Sequence, residues 1–139
     1  VIIKDWEECI KKRIVKDIKI DKDLIEALIK SSNNKLESEN KLLMADVTAS
    51  SKLSLAYESL RELLEATAIK KGYKIYNHEC YAAFLKEIIG ESNKGDEFDD
   101  IRRIRNAVNY YGKDISIPEA DEFINKIKAL RNFILNLLK

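Results

Sequence analysis

One proline in 139 residues, Pro118, and four isolated glycines at 72, 90, 95 and 112 leave this chain few places to turn. Proteins built from strands need turn formers at short intervals. Long stretches without them, with apolar residues recurring every three or four positions, dictate helices. The chain therefore reads as all-α. Hydrophobic residues make up 45%, enough for a core. The 35% of charged residues then belongs to the outer faces of long amphipathic helices rather than to disorder. The length suits one domain over 1–139.

The periodicity marks the helices. Trp6, Ile10, Ile14 and Ile18 share one face of a segment running from Lys4 to about Lys19, an N-terminal helical extension within residues 1–20. Asp21 or Asp23 can cap a second helix carrying Leu24, Ile25, Leu28, Ile29, Leu36 and Leu43. The polar run Ser31-Ser32-Asn33-Asn34 has poor helix propensity and predicts a break there. Leu53, Ala56, Leu60, Leu63, Leu64 and Thr67 define a helix over about 47–71, which Gly72 stops. Asn77 caps another through Ala82, Leu85, Ile88 and Ile89 to Gly90, and a loop over 91–95 follows. A further helix ends at Gly112. Ser116, Pro118 and Glu119 then form the cap, first turn and capping box of the last, which carries Phe123, Ile124, Ile127, Leu130, Ile134, Leu137 and Leu138. Short connections between such helices imply antiparallel neighbours. The expected architecture is an up-and-down four-helix bundle over 22–138, built from helices at about 47–71, 77–90, 96–112 and 118–138 and joined by the helix at about 22–44.

Net charge is +1, so no global field draws the chain to nucleic acid or membrane, and any anion site must be a local patch. No apolar run approaches a membrane span. The opening Val1-Ile2-Ile3-Lys4-Asp5 carries charge too early for the apolar part of a signal peptide. Cys9 and Cys80 form neither a disulfide framework nor a metal-ligand spacing, and are expected to be reduced structural thiols of a cytoplasmic protein. The abundance of Lys, Ile and Glu, with no glutamine, fits a thermophile or an AT-rich genome.

The chemistry is concentrated in Ile101-Arg102-Arg103-Ile104-Arg105-Asn106-Ala107-Val108-Asn109-Tyr110-Tyr111-Gly112. Only six arginines occur, at 13, 61, 102, 103, 105 and 131, and three of them lie here. A guanidinium grips phosphate or carboxylate through two parallel hydrogen bonds, which lysine cannot do. At about 100° per residue, Ile101, Ile104, Val108 and Tyr111 fall on a core face. Arg102, Arg105, Asn106, Asn109 and Tyr110 sweep the opposite half. Such a strip can bind phosphates through arginine and stack a base on tyrosine. The simpler use is surface ion pairing, since Asp99 lies three residues before Arg102 and four before Arg103. Several enzyme classes are set aside: no glycine-rich phosphate loop is present, and one histidine cannot build a di-iron bundle. No serine or cysteine stands in a nucleophile motif near His78, which reads as a structural or capping residue in a first turn.

Arg105-Asn106-x-x-x-Tyr110, on the helix before the Pro118 helix, resembles the Arg-Asn-x-x-x-His signature of HEPN domains, which are small helical bundles. Ala56-Tyr57-Glu58-Ser59-Leu60 resembles that family's long central helix. Gly72-Tyr73-Lys74-Ile75-Tyr76-Asn77-His78 resembles its junction into the following helix. The resemblance spans about 22–138 in matching helix order. It implies a homodimer joining two motif copies in one cleft, metal-independent endoribonuclease activity in active members, and a nucleotidyltransferase partner in toxin–antitoxin-like systems. It makes Arg105, Asn106 and Tyr110 the catalytic positions, with Arg105 on phosphate and Asn106 orienting the site. Arg102, Asn109 and Tyr111 are the flanking ligand-binding positions. No cofactor or metal is implied.

The chain departs from the signature where Tyr110 stands for histidine. Histidine titrates near pH 6.5 and tyrosine near 10, so a phenol is a poor general base at neutral pH. The expectation is a diverged member that binds RNA or nucleotide with weak or absent ribonuclease activity. The alternatives are a ribonuclease using Tyr110 and a purely structural dimer whose arginines pair with carboxylates across the two-fold. Nucleotide transfer onto Tyr110 or Tyr111 by a partner enzyme is a related possibility implied by the resemblance.

Overall fold

The computed structural model describes residues 4–139, so the opening Val1-Ile2-Ile3 of the expected N-terminal extension lies outside the described residues. Six α-helices account for most of the described residues: α1 (Trp6–Lys11), α2 (Lys22–Lys41), α3 (Ala49–Lys70), α4 (Glu79–Ala83), α5 (Ser92–Tyr110) and α6 (Ile117–Leu137). Two three-residue strands, β1 (Val15–Asp17) and β2 (Tyr73–Ile75), pair antiparallel with Val15 opposite Ile75. The all-α reading is correct apart from this small ribbon.

Helix α3 is the centre of the molecule. Leu53, Ala56, Tyr57, Leu60, Leu63 and Leu64 are fully buried, and α2, α5 and α6 all pack on it. The residues predicted for its apolar face are all buried, Thr67 included. Gly72 ends it at φ +89°, a conformation that favours glycine. On α6, Ile124, Ile127, Leu130 and Ile134 enter the core. The Ser116 hydroxyl accepts from the Glu119 N–H at 3.2 Å, as the capping signature predicts.

The N-terminal helix is shorter than its spacing suggests. Asp5 caps α1 by accepting from the Glu8 N–H at 2.8 Å, and α1 stops at Lys11. Arg13 takes a positive φ of 59°, and the chain leaves as β1. Ile10, expected on the buried face, is half exposed, whereas Val15 is buried between half-buried Ile14 and exposed Lys16. β-branched Ile14 and Val15 suit the pleated pairing with β2 better than a helix. Trp6 then packs edge-on against Tyr73, with ring centroids 5.1 Å apart.

The reduced-thiol reading of the two cysteines is overturned. Cys9 on α1 and Cys80 on α4 form a fully buried disulfide, 71 residues apart in sequence with Cα atoms 6.2 Å apart. Only folding brings the two Cα atoms within disulfide range.

The predicted break in α2 does not occur either. Ser32 is completely buried, and its hydroxyl donates to the Ser59 carbonyl of α3. Arg131, buried on α6, donates to Ser32 Oγ through Nε and Nη2 at 3.2 and 3.1 Å and to Asn33 Oδ1. Tertiary hydrogen bonds outweigh the poor local propensity. Two turns after Ser32, Glu39 is buried against Lys52 and Lys128, each 2.8 Å away. Burial pushes the Glu39 carboxyl up, but the two lysines outweigh it and hold it below its ordinary value. The helix ends at Lys41, so Leu43 lies beyond it and is exposed.

After α4, Phe84–Ile88 forms one wide π-helical turn rather than the continuous helix to Gly90 that was expected. Of the expected loop over 91–95, residues 92–95 form the first turn of α5, with Glu91 at its cap position. Gly95 is buried there, and a Cβ on it would stand 2.7 Å from the Ala82 carbonyl and 2.5 Å from Lys86 Cγ. It is a close-contact glycine between α5 and α4, not a loop glycine. Among the described residues no helix is long and apolar enough to cross a membrane.

Candidate anion-binding cleft

The side chain of Tyr57, fully buried on α3, supports two residues of the candidate site from beneath. Its hydroxyl lies 3.0 Å from His78 Nδ1, and the Arg105 guanidinium carbon sits 4.8 Å from its ring centroid. Arg105 is only 12% exposed and has Tyr110 as a second aromatic neighbour, 5.2 Å from that ring centroid. Guanidinium between two aromatic faces is favourable electrostatically and keeps the group pre-oriented.

Hydrogen bonds complete the placement. Arg105 Nη2 donates to Glu58 Oε1 at 3.3 Å, and Nη1 donates to the Tyr110 hydroxyl at 3.1 Å and Asn106 Oδ1 at 3.4 Å. Its Nε–H is buried without an acceptor. Arg102 donates through Nε and Nη2 to Asp99 Oδ1 at 3.1 and 2.9 Å, and Arg103 reaches Asp99 Oδ2 at 2.6 Å. The two Asp99 pairs expected from the spacing are therefore made. Glu58 also takes Arg61 at 3.0 Å, and Glu65 is shared by Arg61 at 2.8 Å and Lys74 at 3.1 Å.

This network is unbalanced. Arg61, Lys74, Arg102, Arg103 and Arg105 share only Glu58, Glu65 and Asp99. The cluster thus carries two surplus positive charges in a chain whose whole net charge is +1. Beside it opens a shallow cleft of about 240 Å³ lined by Tyr76, Asn77, His78, Arg102, Arg105, Asn106 and Tyr110. A small cleft with excess cationic charge and aromatic walls can take a phosphate and an adjoining base or ribose.

The structure brings together four of the six predicted site residues: Arg102, Arg105, Asn106 and Tyr110. Asn109 does not line the cleft; its Oδ1 accepts from the Ser54 hydroxyl at 3.1 Å, toward α3. Tyr111 does not line it either. It follows the last residue of α5 and is 82% exposed, so it is also not the core residue that helical projection predicts. Ile101 is buried and Ile104 and Val108 pack partly against the core, as projected.

Sequence reasoning missed Tyr57, Glu58 and Tyr76, and assigned His78 a structural role. His78 does hydrogen-bond to Tyr57, but it also lines the cleft. Burial is the main force lowering its pKa below 6.5, and Arg61, Arg105 and Arg102 push the same way against Glu58. The imidazole is therefore neutral at pH 7. Burial raises the Tyr57 phenol well above the ordinary tyrosine range, so it stays a hydroxyl able to donate to or accept from Nδ1. The ten residues Gly72–Tyr81 hold Tyr76, Asn77 and His78 against α5, and α4 anchors that segment through Cys80. Asn77 shapes the turn, its Oδ1 accepting from the Glu79 N–H at 3.1 Å. Among the described residues no three His, Cys, Asp or Glu side chains gather as a metal site. No protein-family model matches the chain, and comparison with curated proteins finds no match.

Proposed function

We propose that this chain is a HEPN-like domain that binds RNA or a nucleotide in the cleft between Tyr76 and Tyr110. The observation carrying this reading is the surplus of cations over carboxylates beside a cleft lined by the Tyr76 and Tyr110 rings, with Arg105 held over the buried Tyr57 ring. Arg105 and Arg102 take the phosphate, Asn106 positions it, and Tyr110 offers a face for a base. The helix order supports reading α3, α4 with its π turn, α5 and α6 as an up-and-down four-helix bundle. In the same reading the protein is a homodimer, and a nucleotidyltransferase is its partner. A cytoplasmic setting suits it if the host is hyperthermophilic, because intracellular disulfides are common there and rare in mesophiles. The Lys-, Ile- and Glu-rich composition without glutamine points the same way.

Arg105→Ala tests the reading. Because Tyr57 and Glu58 remain in place, the variant should fold. Binding of a short oligouridylate should weaken by roughly 1.5–3 kcal/mol, the worth of a charged hydrogen-bonding group, and the slope of affinity against salt should fall by about one. Unchanged affinity and slope would remove Arg105 from the site. The alternative, a structural dimer whose arginines pair with carboxylates across the two-fold, has less behind it, because Arg102 and Arg105 already have carboxylate partners, Asp99 and Glu58, within the chain. If Arg105→Ala instead splits a dimer on a sizing column, that reading prevails.

A further inference from the structure

The two walls of the cleft are held by different parts of the molecule. Arg102, Arg105, Asn106 and Tyr110 come from α5, where Asp99, Glu58 and the Tyr57 ring set the two guanidiniums. Tyr76, Asn77 and His78 come from the segment between β2 and α4, which is bound to an N-terminal strap, residues 4–18. We infer that the Cys9–Cys80 bond is a redox latch: a dithiol reductant that opens it releases the Tyr76–Asn77 wall and lowers the affinity of the cleft for phosphate-bearing ligands. The inference rests on the binding reading above and gives that site a regulator.

The strap grips this wall residue by residue. The Ile14 carbonyl accepts from the Tyr76 N–H at 2.8 Å, and the Lys16 ammonium lies 5.5 Å from the Tyr76 ring centroid. Val15, Lys16 and Asp17 pair with Ile75, Lys74 and Tyr73, and the Ile18 N–H donates to the Gly72 carbonyl at 2.9 Å. Glu79 Oε1 accepts from Lys4 Nζ and, at 3.2 Å, from Asn77 Nδ2, so the strap steadies Asn77 as well. The disulfide is the covalent part of this attachment, and its Cys80 end lies two residues past His78. His78 keeps a support of its own in the bond to Tyr57, so the loosening falls on Tyr76 and Asn77.

Without the crosslink the strap has little to hold it. Helix α1 is six residues long and packs chiefly on α4 and β1, and β1–β2 is a ribbon of two three-residue strands. A helix that short and a lone two-stranded ribbon are each marginal by themselves. They are the parts of the fold that open locally, and the fully buried sulfurs become reachable when α1 lifts. A thiolate of the reductant attacks one sulfur, and its second thiol resolves the mixed disulfide. The S–S bond breaks, Cys9 and Cys80 each gain a hydrogen, and the reductant leaves as its own disulfide. Helices α2, α5 and α6 pack directly on α3, so the arginine wall stays in place.

The test compares the oxidised chain with the chain reduced by excess dithiothreitol, well below the melting temperature of either. Alkylation and intact mass count the freed thiols. Amide hydrogen exchange reads the backbone, and the anisotropy of a fluorescein-labelled oligouridylate reads binding. Both thiols should be freed with the fold retained. Exchange should quicken over 5–18 and 72–81 and hold steady over α3 and α6. Affinity should fall roughly tenfold, the cost of re-ordering about one residue of the wall on binding. The slope of affinity against salt, set by the arginines, should stay the same. Reoxidation should restore the affinity, and the double change Cys9→Ala with Cys80→Ala should bind like the reduced chain and ignore dithiothreitol. A bond that resists dithiothreitol in the folded chain overturns the inference. So does unchanged affinity after reduction, or faster exchange throughout α3. Failure of the oxidised chain to bind overturns the binding reading instead, while exchange over 72–81 still decides whether the bond latches that wall.

Discussion

At the scale of single residues, the arginines divide by environment rather than by sequence position. Arg105 is pinned between rings and carboxylate, whereas Arg131, far from any motif, is buried against Ser32 and Asn33 and joins α6 to α2. Burial lowers its pKa, with no carboxylate close enough to oppose the shift. His78 has a consequence for stability as well. Its folded pKa lies below the ordinary 6.5, so near and below pH 6.5 the unfolded chain binds the proton more readily. Stability from this group is present above pH 6.5 and is lost as the pH falls through the lowered value. Glu39 and Glu119 are also lowered, but their transitions lie below the ordinary 4.5 and outside this window. Taking the pH from about 7 to about 5 should therefore lower the wild-type melting temperature more than that of His78→Gln. Equal drops in a scanning calorimeter would show that the imidazole is not held neutral by its surroundings.

At the scale of elements, contacts between helices override local preference twice. The Ser31–Asn34 run stays helical because its polar groups face partners on α3 and α6. Residues 92–95 are helical although they read as a loop, because Gly95 lets α5 close onto α4. Alanine is normally the better helix former by about 1 kcal/mol. At Gly95 the added methyl would stand 2.7 Å from the Ala82 carbonyl, which cannot swing aside as the Lys86 side chain can. Gly95→Ala should destabilise by roughly 1–3 kcal/mol, read as a lower urea midpoint. A raised midpoint would mean that α4 and α5 pack less closely than described. The same contact matters to the cleft, because α5 carries the arginines and the segment before α4 carries His78.

At the scale of the whole molecule, the Cys9–Cys80 bond ties the N-terminal segment to the base of the cleft. The crosslink spans 71 residues and encloses α2 and α3. In the chain-entropy account such a loop is worth about 4 kcal/mol. Reduction, or the double change Cys9→Ala with Cys80→Ala, should lower the melting temperature by roughly 10 °C. An unchanged melting temperature would show that the bond adds nothing to global stability. The ion-pair cluster shows the same dependence on assembly: Glu58 of α3 and Arg105 of α5 are 47 positions apart and meet only in the folded chain.

What the sequence by itself determined is what periodicity and caps encode: the helical class, the buried face of α3, the cap at Ser116, a cap at Asp21 or Asp23 of which the structure uses Asp21, and the Asp99 pairs with Arg102 and Arg103. It also marked Arg102, Arg105, Asn106 and Tyr110 as one strip, because they lie within three turns of one helix. Local rules see neighbours three or four residues apart and little further. The β1–β2 pairing, the disulfide, the Ser32–Arg131 bond and the arrival of Tyr57 and His78 beside Arg105 join residues 21 to 99 positions apart. Those were decided by the packing of α2, α5 and α6 around α3, which sets long-range partners that no spacing along the chain can specify.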